Sequence, residues 1–314
     1  MDKTIIKERL ERLREELRRE HLSAFIFPTS DPHHSEYTPD HWKGREWISG
    51  FDGSAGIAVV TLRSAALWTD SRNFVQAEQQ LEGTEFQLIR QGMTDIPAVS
   101  GWLERELADR NDKEIGVDGM VTLEADVERL KEEMKRRGGI TVRTNFDPLQ
   151  RIWKDRPAIP RNPVEIQSAE QAGGDARSKL TRIRQALRER HADGMLAVVL
   201  DDIAWTLNLR GSDVHGKPVF VAYLLIASNK ATLFVDQESM TDRVRNYLKG
   251  QGVDVAPYTE VGNGLRDYFE YNILLDPREV CYSLYQKVTR MVVRGASPFA
   301  AVKAVWDEKE RLGF

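Results

Sequence analysis

Residues 201–220 read DDIAWTLNLRGSDVHGKPVF. Ile203, Trp205, Leu207 and Leu209 mark a short amphipathic helix, predicted to break at Gly211. A polar loop, Ser212 to Lys217, follows, and Pro218 opens an apolar strand from Val219 to Ile226. Helix, glycine stop, loop, proline and strand is the punctuation of an α/β protein. Asp202, Asn208, Arg210 and Asp213 read as a fixing network around the Gly211 turn, with Arg210 and Asp213 placed to pair across it. Trp205 has core spacing, and His215 reads as solvated.

Upstream of this stretch the chain repeats an earlier pattern. Arg182 to His191 (RIRQALRERH) parallels Arg12 to His21 (RLREELRREH) at an offset of 170 residues. A strand follows each, Met195–Leu200 and Ala24–Phe27. Leu233-Phe234-Val235-Asp236 matches Leu67-Trp68-Thr69-Asp70, and Ile273-Leu274-Leu275-Asp276 matches Ile115-Gly116-Val117-Asp118. Agreement in order and spacing over more than a hundred residues argues for a duplicated unit.

The first copy reads as a helix over residues 4–20 with Ile5, Leu10, Leu13 and Leu17 on one stripe, then a strand at Ser23–Pro28. Thr29 to Lys43 has no periodicity and reads as loop. Ile57–Leu62 and Ala65–Thr69, separated by Arg63 and Ser64 alone, form an antiparallel hairpin. Asp70 and Ser71 cap the helix carrying Phe74, Ala77 and Leu81. A strand at 86–90, a helix at 98–108, a strand at 114–117, a helix at 123–137 and a strand at 140–143 complete it. Three prolines between Pro157 and Pro163, flanked by charge, make a stiff connector. The expected domains are therefore 1–155 and 156–296, each a mixed sheet flanked by helices. Leu180, Ile183 and Leu187 repeat the buried stripe in the second.

The chain has 314 residues, 41% of them hydrophobic and 30% charged, enough for two cores in a soluble protein. Its net charge of −4 and its interleaved acids and bases leave no nucleic-acid footprint. No apolar run nears the ~20 residues that cross a bilayer, and the charged N-terminus lacks a signal peptide's apolar core, so no membrane partner is expected. The single cysteine, Cys281, lies in an apolar run, reads as inert core and fits a reducing cytoplasm.

The densest polar cluster is Ser30-Asp31-Pro32-His33-His34-Ser35-Glu36-Tyr37, with Asp40 and His41 beyond. Imidazoles and carboxylates in this number invite a metal reading. Adjacent His33 and His34 point to opposite sides of an extended chain, however, and a polar loop bonding its own backbone accounts for the residues. The glycine-rich stretch Ser49 to Gly56 precedes a strand, the reverse of a phosphate loop, so its glycines read as tight turns and close packing.

Four stretches carry a family resemblance. Ser30 to Tyr37, Ser49-Gly50-Phe51-Asp52-Gly53-Ser54-Ala55-Gly56, and Leu67 to Leu81 (LWTDSRNFVQAEQQL) resemble the first domain of cytosolic three-domain Xaa-Pro aminopeptidases of the creatinase/prolidase superfamily. Residues 203–220 resemble their second domain. The resemblance implies two tandem, ribonuclease-H-like domains of the creatinase N-terminal type, which are not catalytic. It also implies a third, pita-bread domain in the parent enzyme, holding two divalent ions, typically manganese, on two Asp, one His and two Glu. There a bridging hydroxide attacks the peptide bond before proline.

Residues 297–314 resemble the opening helix of that third domain, and the family's metal ligands lie downstream of it. The expectation is an amino-terminal region with no catalytic residue, no metal ligand and no cofactor of its own. Its implied partners are its own catalytic domain, a peptide with proline second, and a second copy in a homodimer. Phe299, Val302 and Val305 are then expected to pack on a neighbour or to fray. Arg72, where relatives have Thr-Asp-Gly-Arg and this chain has Ser71 for the glycine, is the substrate-binding candidate; His33, Ser35 and Glu36 are placed on the same edge. A stand-alone peptide-binding module derived from a peptidase is the alternative. A prolidase or creatinase fragment is a third, disfavoured because those relatives usually carry one such domain.

Overall fold

Asp2 opens the first helix: its carboxylate accepts the Thr4 amide at 2.9 Å, and α1 runs Lys3–Arg19. Leu10, Leu13 and Leu17 are buried as expected, but the stripe starts at Ile6 (3% exposed) and not at Ile5 (39%). Spacings of four, three and four from Ile6 stay on one helical face, which Ile5 misses. Burying each leucine is worth roughly 1.5–3 kcal/mol before entropy. The helix ends with His21 in the left-handed region (φ 56°) and the Leu22 amide bonded to the Leu17 carbonyl at 2.8 Å.

This computed structural model describes residues 2–311, with side chains as far as Val305. The chain folds into two compact units, the first made of Met1–Asp31 and Asp40–Ala158, the second of Pro32–Pro39 with Ile159 onward. The first continues with β1 (Ala24–Phe27), α2 (Gly44–Ser49), β2 (Ile57–Thr61), β3 (Ala65–Thr69), α3 (Phe74–Leu81), β4 (Phe86–Arg90), α4 (Val99–Glu106), β5 (Glu114–Val117), α5 (Glu124–Arg136), β6 (Thr141–Arg143) and α6 (Leu149–Ile152). The sheet order is β4-β3-β2-β1-β5-β6. β1, β2 and β3 are antiparallel neighbours, and the outer pairs are parallel. Every residue of β1 is buried, as a strand covered on both faces must be.

The second unit comprises β7 (Glu165–Ile166), α7 (Ala176–Glu189), β8 (Met195–Ala197), α8 (Leu200–Leu207), β9 (Leu209–Arg210), β10 (Ala222–Ile226), β11 (Ala231–Val235), α9 (Asp242–Gly250), β12 (Val253–Pro257), α10 (Val261–Asp267), β13 (Asn272–Leu275), α11 (Tyr282–Tyr285), β14 (Met291–Arg294) and α12 (Phe299–Arg311). Its sheet order, β12-β11-β10-β8-β13-β14, repeats the first strand for strand, with the same parallel and antiparallel sense. β7 and β9 form a separate antiparallel pair. The repeat reaches single bonds. His191 takes the φ of His21 (57°), and the Ala192 amide bonds the Leu187 carbonyl at 2.9 Å. Asp236 accepts the amide two residues on, as Asp70 does.

Several local expectations change. α8 stops at Asn208 (φ 52°), not at Gly211, because the Asn208 side chain is fixed by the Lys179 ammonium at 2.7 Å and the Gly174 carbonyl at 2.8 Å. Gly211 serves close approach: a Cβ there would lie 2.7 Å from the Phe220 Cβ. The strand begins at Ala222, four residues after Pro218. Asp213 does not pair with Arg210; its carboxylate accepts the amides of Asn162 and Val221 at 2.9 and 2.8 Å. Arg210 instead reaches Gln167.

α12 packs on α7, with Phe299 and Val302 buried within the second unit itself and Val305 left 47% exposed. Residues 312–314 of the expected third-domain helix lie outside the described residues. Among the described residues no helix is long and apolar enough to cross a membrane.

Candidate functional site

Arg72 stands where β3 turns into α3. Asp70 accepts the Arg72 amide at 3.0 Å and caps the single 3-10 turn Ser71–Asn73. The same carboxylate grips the guanidinium, from Nε to Oδ1 at 3.0 Å and from Nη2 to Oδ2 at 2.8 Å. This bond lowers the Asp70 pKa and raises that of Arg72. The Arg72 side chain is 71% exposed, and its second terminal nitrogen takes no part in the pair.

The turn rests on the glycine-rich loop. Asn73 is buried, accepts the Ser54 amide at 3.3 Å and donates to the Ser54 hydroxyl at 3.2 Å. Thr69 Oγ1 donates to the Ala55 carbonyl at 2.6 Å. A Cβ on Gly53 would fall 2.2 Å from the Phe51 ring, and one on Gly56 would fall 3.0 Å from the Trp68 carbonyl. Close packing is therefore what these glycines provide. Beneath the loop, Arg45 of α2 is buried, donates to the Gly53 carbonyl at 2.7 Å and lies over the Phe51 ring at 4.9 Å. Sequence reading missed Arg45, since its stretch carries no signal beyond one short helical turn.

His33, Ser35 and Glu36 belong to Pro32–Pro39, in the second unit, whereas Arg72 belongs to the first. His33 is 1% exposed. Its Nδ1 lies 3.0 Å from the Val198 carbonyl, which only accepts, so Nδ1 carries the proton. Nε2 then accepts the Tyr258 hydroxyl at 2.6 Å. The Tyr223 ring packs 4.4 Å from the imidazole, centre to centre, and stacks on Tyr258. Burial, only partly opposed by the Val198 bond, drops the His33 pKa to about 4, so the ring is neutral at pH 7. With both nitrogens engaged, His33 anchors its segment. Ser35 is half-buried, and Glu36 is exposed and paired with Lys217 at 3.3 Å.

These positions do not suit a metal centre. The His33 donors face protein partners, and His34 turns outward with φ 52°. Among the described residues no three His, Cys, Asp or Glu side chains converge to hold an ion. The donor set therefore does not fit a two-metal site, which needs bridging carboxylates.

Two partly buried acids escaped the sequence reading as titrating groups: Asp118, which ends a strand in the duplicated strand-Asp pattern, and Glu279, which lies just beyond its counterpart Asp276. Asp118, just after β5, is pushed up to about 7 by burial and by neighbouring Asp147. Asp147 itself is held by Arg156 at 2.8 Å. They line a cavity of about 30 Å3 with Phe25, Trp42 and Arg45. In the second unit Glu279 is raised to about 7 by burial and by Asp276 and Asp202. Asp202 in turn pairs with Lys303 of α12.

Known proteins share both halves of this chain. Two family models, both described as Creatinase/Prolidase N-terminal domain, match residues 9–148 and 155–310. "Probable Xaa-Pro aminopeptidase P" of Botryotinia fuckeliana is 39% identical over 258 residues, covering 81% of this chain and 39% of the relative. "Xaa-Pro aminopeptidase 1" of Dictyostelium discoideum is 33% identical over 325 residues, covering 100% of this chain and 51% of the relative. A crystal structure of X-prolyl aminopeptidase from Caenorhabditis elegans, described as a cytosolic enzyme with a di-nuclear active site, superposes with a TM-score of 0.85 at 29% identity. That match covers 93% of this chain and 50% of the nematode one. The chain thus spans about half the length, or less, of these relatives.

Proposed function

Since the chain belongs to the creatinase/prolidase N-terminal domain family, which it represents twice in succession, we propose that it is the two-domain amino-terminal region of a metal-dependent Xaa-Pro aminopeptidase. In this reading it shapes the entrance for a peptide with proline second and supports assembly, without cutting peptides itself. The observation that carries the reading is the succession of two family domains in which, among the described residues, no donor set fits a bimetal centre. The hydrolytic step, the two divalent ions (manganese by family resemblance) and their ligands then belong to a catalytic domain with which this region pairs, in a cytosolic protein that can act as a homodimer.

Within the region, Arg72 is the substrate contact. It is exposed, and its backbone is fixed by Asp70 and by the buried Asn73 beneath. The equivalent position after Asp236 in the second unit is Glu238, so the duplicated turn carries a cation in one copy only. A planar guanidinium suits a peptide carbonyl or carboxylate. Ser35 and Glu36, on the segment that His33 anchors, are weaker contacts, with the Glu36 carboxylate able only to accept from a donor of the peptide.

The test is Arg72→Ala in a longer chain that carries this sequence together with its catalytic domain. Loss of one charge-assisted bond should lower kcat/KM on an Xaa-Pro peptide roughly ten- to a hundredfold. The urea midpoint of the 314-residue chain should stay unchanged. Unaltered kinetics would make Arg72 structural.

A further inference from the structure

From Val280 to Trp306 the chain contains no Asp or Glu, while Lys287, Arg290, Arg294 and Lys303 fall inside that run. In a protein with 49 acidic residues among 314 this is a local reversal of charge. The run builds α11 and β14. β14 is the last strand of its sheet, paired with β13 from Asn272↔Met291 onward, so among the described residues its other backbone edge has no strand beside it.

Three large apolar side chains stand in solvent where these two strands begin: Phe269 and Tyr271, each 70% exposed, and Met291, 56% exposed. The two segments are tied side by side. Arg290 Nε donates to the Tyr268 carbonyl at 3.4 Å, and Thr289 Oγ1 donates to the Arg266 carbonyl at 3.3 Å. Arg266, Lys287 and Arg290 are exposed around the apolar group. Asp267 and Glu270 offset part of this charge, but Glu270 is occupied by Ser228 and Tyr268.

The first unit supplies an internal comparison. Its equivalent edge pair, β5 and β6, begins at Glu114↔Thr141. The residues before it, Asp109-Arg110-Asn111-Asp112-Lys113, are all polar, where the second copy has Tyr268-Phe269-Glu270-Tyr271. Arg143 on β6 is bonded to Glu114 and Glu20, which blunts that edge. One topology has thus been finished in two ways, guarded in the first copy and apolar with a basic rim in the second.

We propose that the β14 edge is a docking site for an extended, acidic segment of a partner protein. The segment adds a strand along Met291–Arg294, sets apolar side chains on Phe269, Tyr271 and Met291, and turns carboxylates toward Lys287 and Arg290. A second copy is disfavoured, because a symmetric pairing brings the same cations together. A lipid surface leaves the strand's backbone donors and acceptors unused. This proposal is independent of the peptidase reading.

The probe is a fluorescein-labelled (Glu-Val)4 peptide titrated with the 314-residue chain and followed by anisotropy, with (Lys-Val)4 as control. Saturable binding of the acidic peptide alone is expected. Lys287→Glu should weaken it at least tenfold and Met291→Thr at least fivefold, in variants whose urea midpoints match wild type. For a variant that fails to fold, amide-exchange protection of Met291–Arg294 by the peptide in the wild type decides instead. No saturable binding, equal binding of the basic peptide, or indifference to both substitutions would overturn the proposal. So would a Met291→Thr-sensitive dimer in sedimentation, or Met291-sensitive binding to phosphatidylserine vesicles without peptide binding.

Discussion

At His33 the folded chain keeps an imidazole neutral at a pH where a free histidine begins to protonate. Its pKa in the fold, about 4, lies below the ordinary 6.5. The unfolded chain therefore binds that proton more tightly, and stability is lost as pH falls through the window between the two values. Over the whole window the loss is roughly 3 kcal/mol. His33→Gln does not titrate, so the wild-type urea midpoint should fall more steeply than the variant's between pH 6.5 and pH 4. Parallel curves would contradict a buried, neutral His33. Asp118 and Glu279, raised to about 7, work in the opposite sense, since folding favours their protonated form. The difference between wild type and variant removes their contribution. His33 stood out in the sequence because it sits in a dense polar cluster. Its burial was not legible there, because its partners Val198 and Tyr258 lie 165 and 225 residues away.

Elements set by local chemistry were legible, and elements set by distant contacts were not. The β2–β3 hairpin follows from two apolar runs close together in sequence, although β2 stops at Thr61 and the turn includes Leu62 as well as Arg63 and Ser64, and β4 and β5 fall on the expected residues. The end of α8 was misplaced because glycine is the ordinary left-handed stop. Asn208 takes that conformation only because Lys179 and Gly174, both on or before α7, hold its amide. The glycine-rich loop gave the right physical role without its supporting residue, Arg45.

A pair of substitutions separates packing from propensity at this scale. Gly53→Ala drives a methyl into Phe51 and Asn73 and should destabilise by about 1–3 kcal/mol. Gly101→Ala, inside α4 with its nearest neighbour at 3.5 Å, should stabilise by about 0.5–1 kcal/mol. Urea midpoints of the two variants should move in opposite directions. A neutral Gly53→Ala would mean the loop is not close-packed beneath the Arg72 turn.

On the scale of the whole molecule, duplication leaves two sheets of identical strand order and parallel sense. The copies then differ at the surface, with Arg72 in one copy and Glu238 in the other at the equivalent turn, and a guarded edge in one against an apolar edge in the other. The repeat could be read from the sequence because buried positions and strand-ending aspartates keep their spacing. The exchange of Arg72 for Glu238 is legible in the same match, two residues past Asp70 and Asp236, whereas the difference between the sheet edges could not be read, because which strands lie at an edge appears only once strands are paired.

What the two copies have in common is a scaffold in which, among the described residues, no three His, Cys, Asp or Glu side chains converge to hold an ion. The direct test is to supply the 314-residue chain with manganese and a tripeptide having proline second, and to quantify the free amino-terminal residue. The account predicts release no faster than the metal-only blank. Saturable turnover by this chain would contradict it.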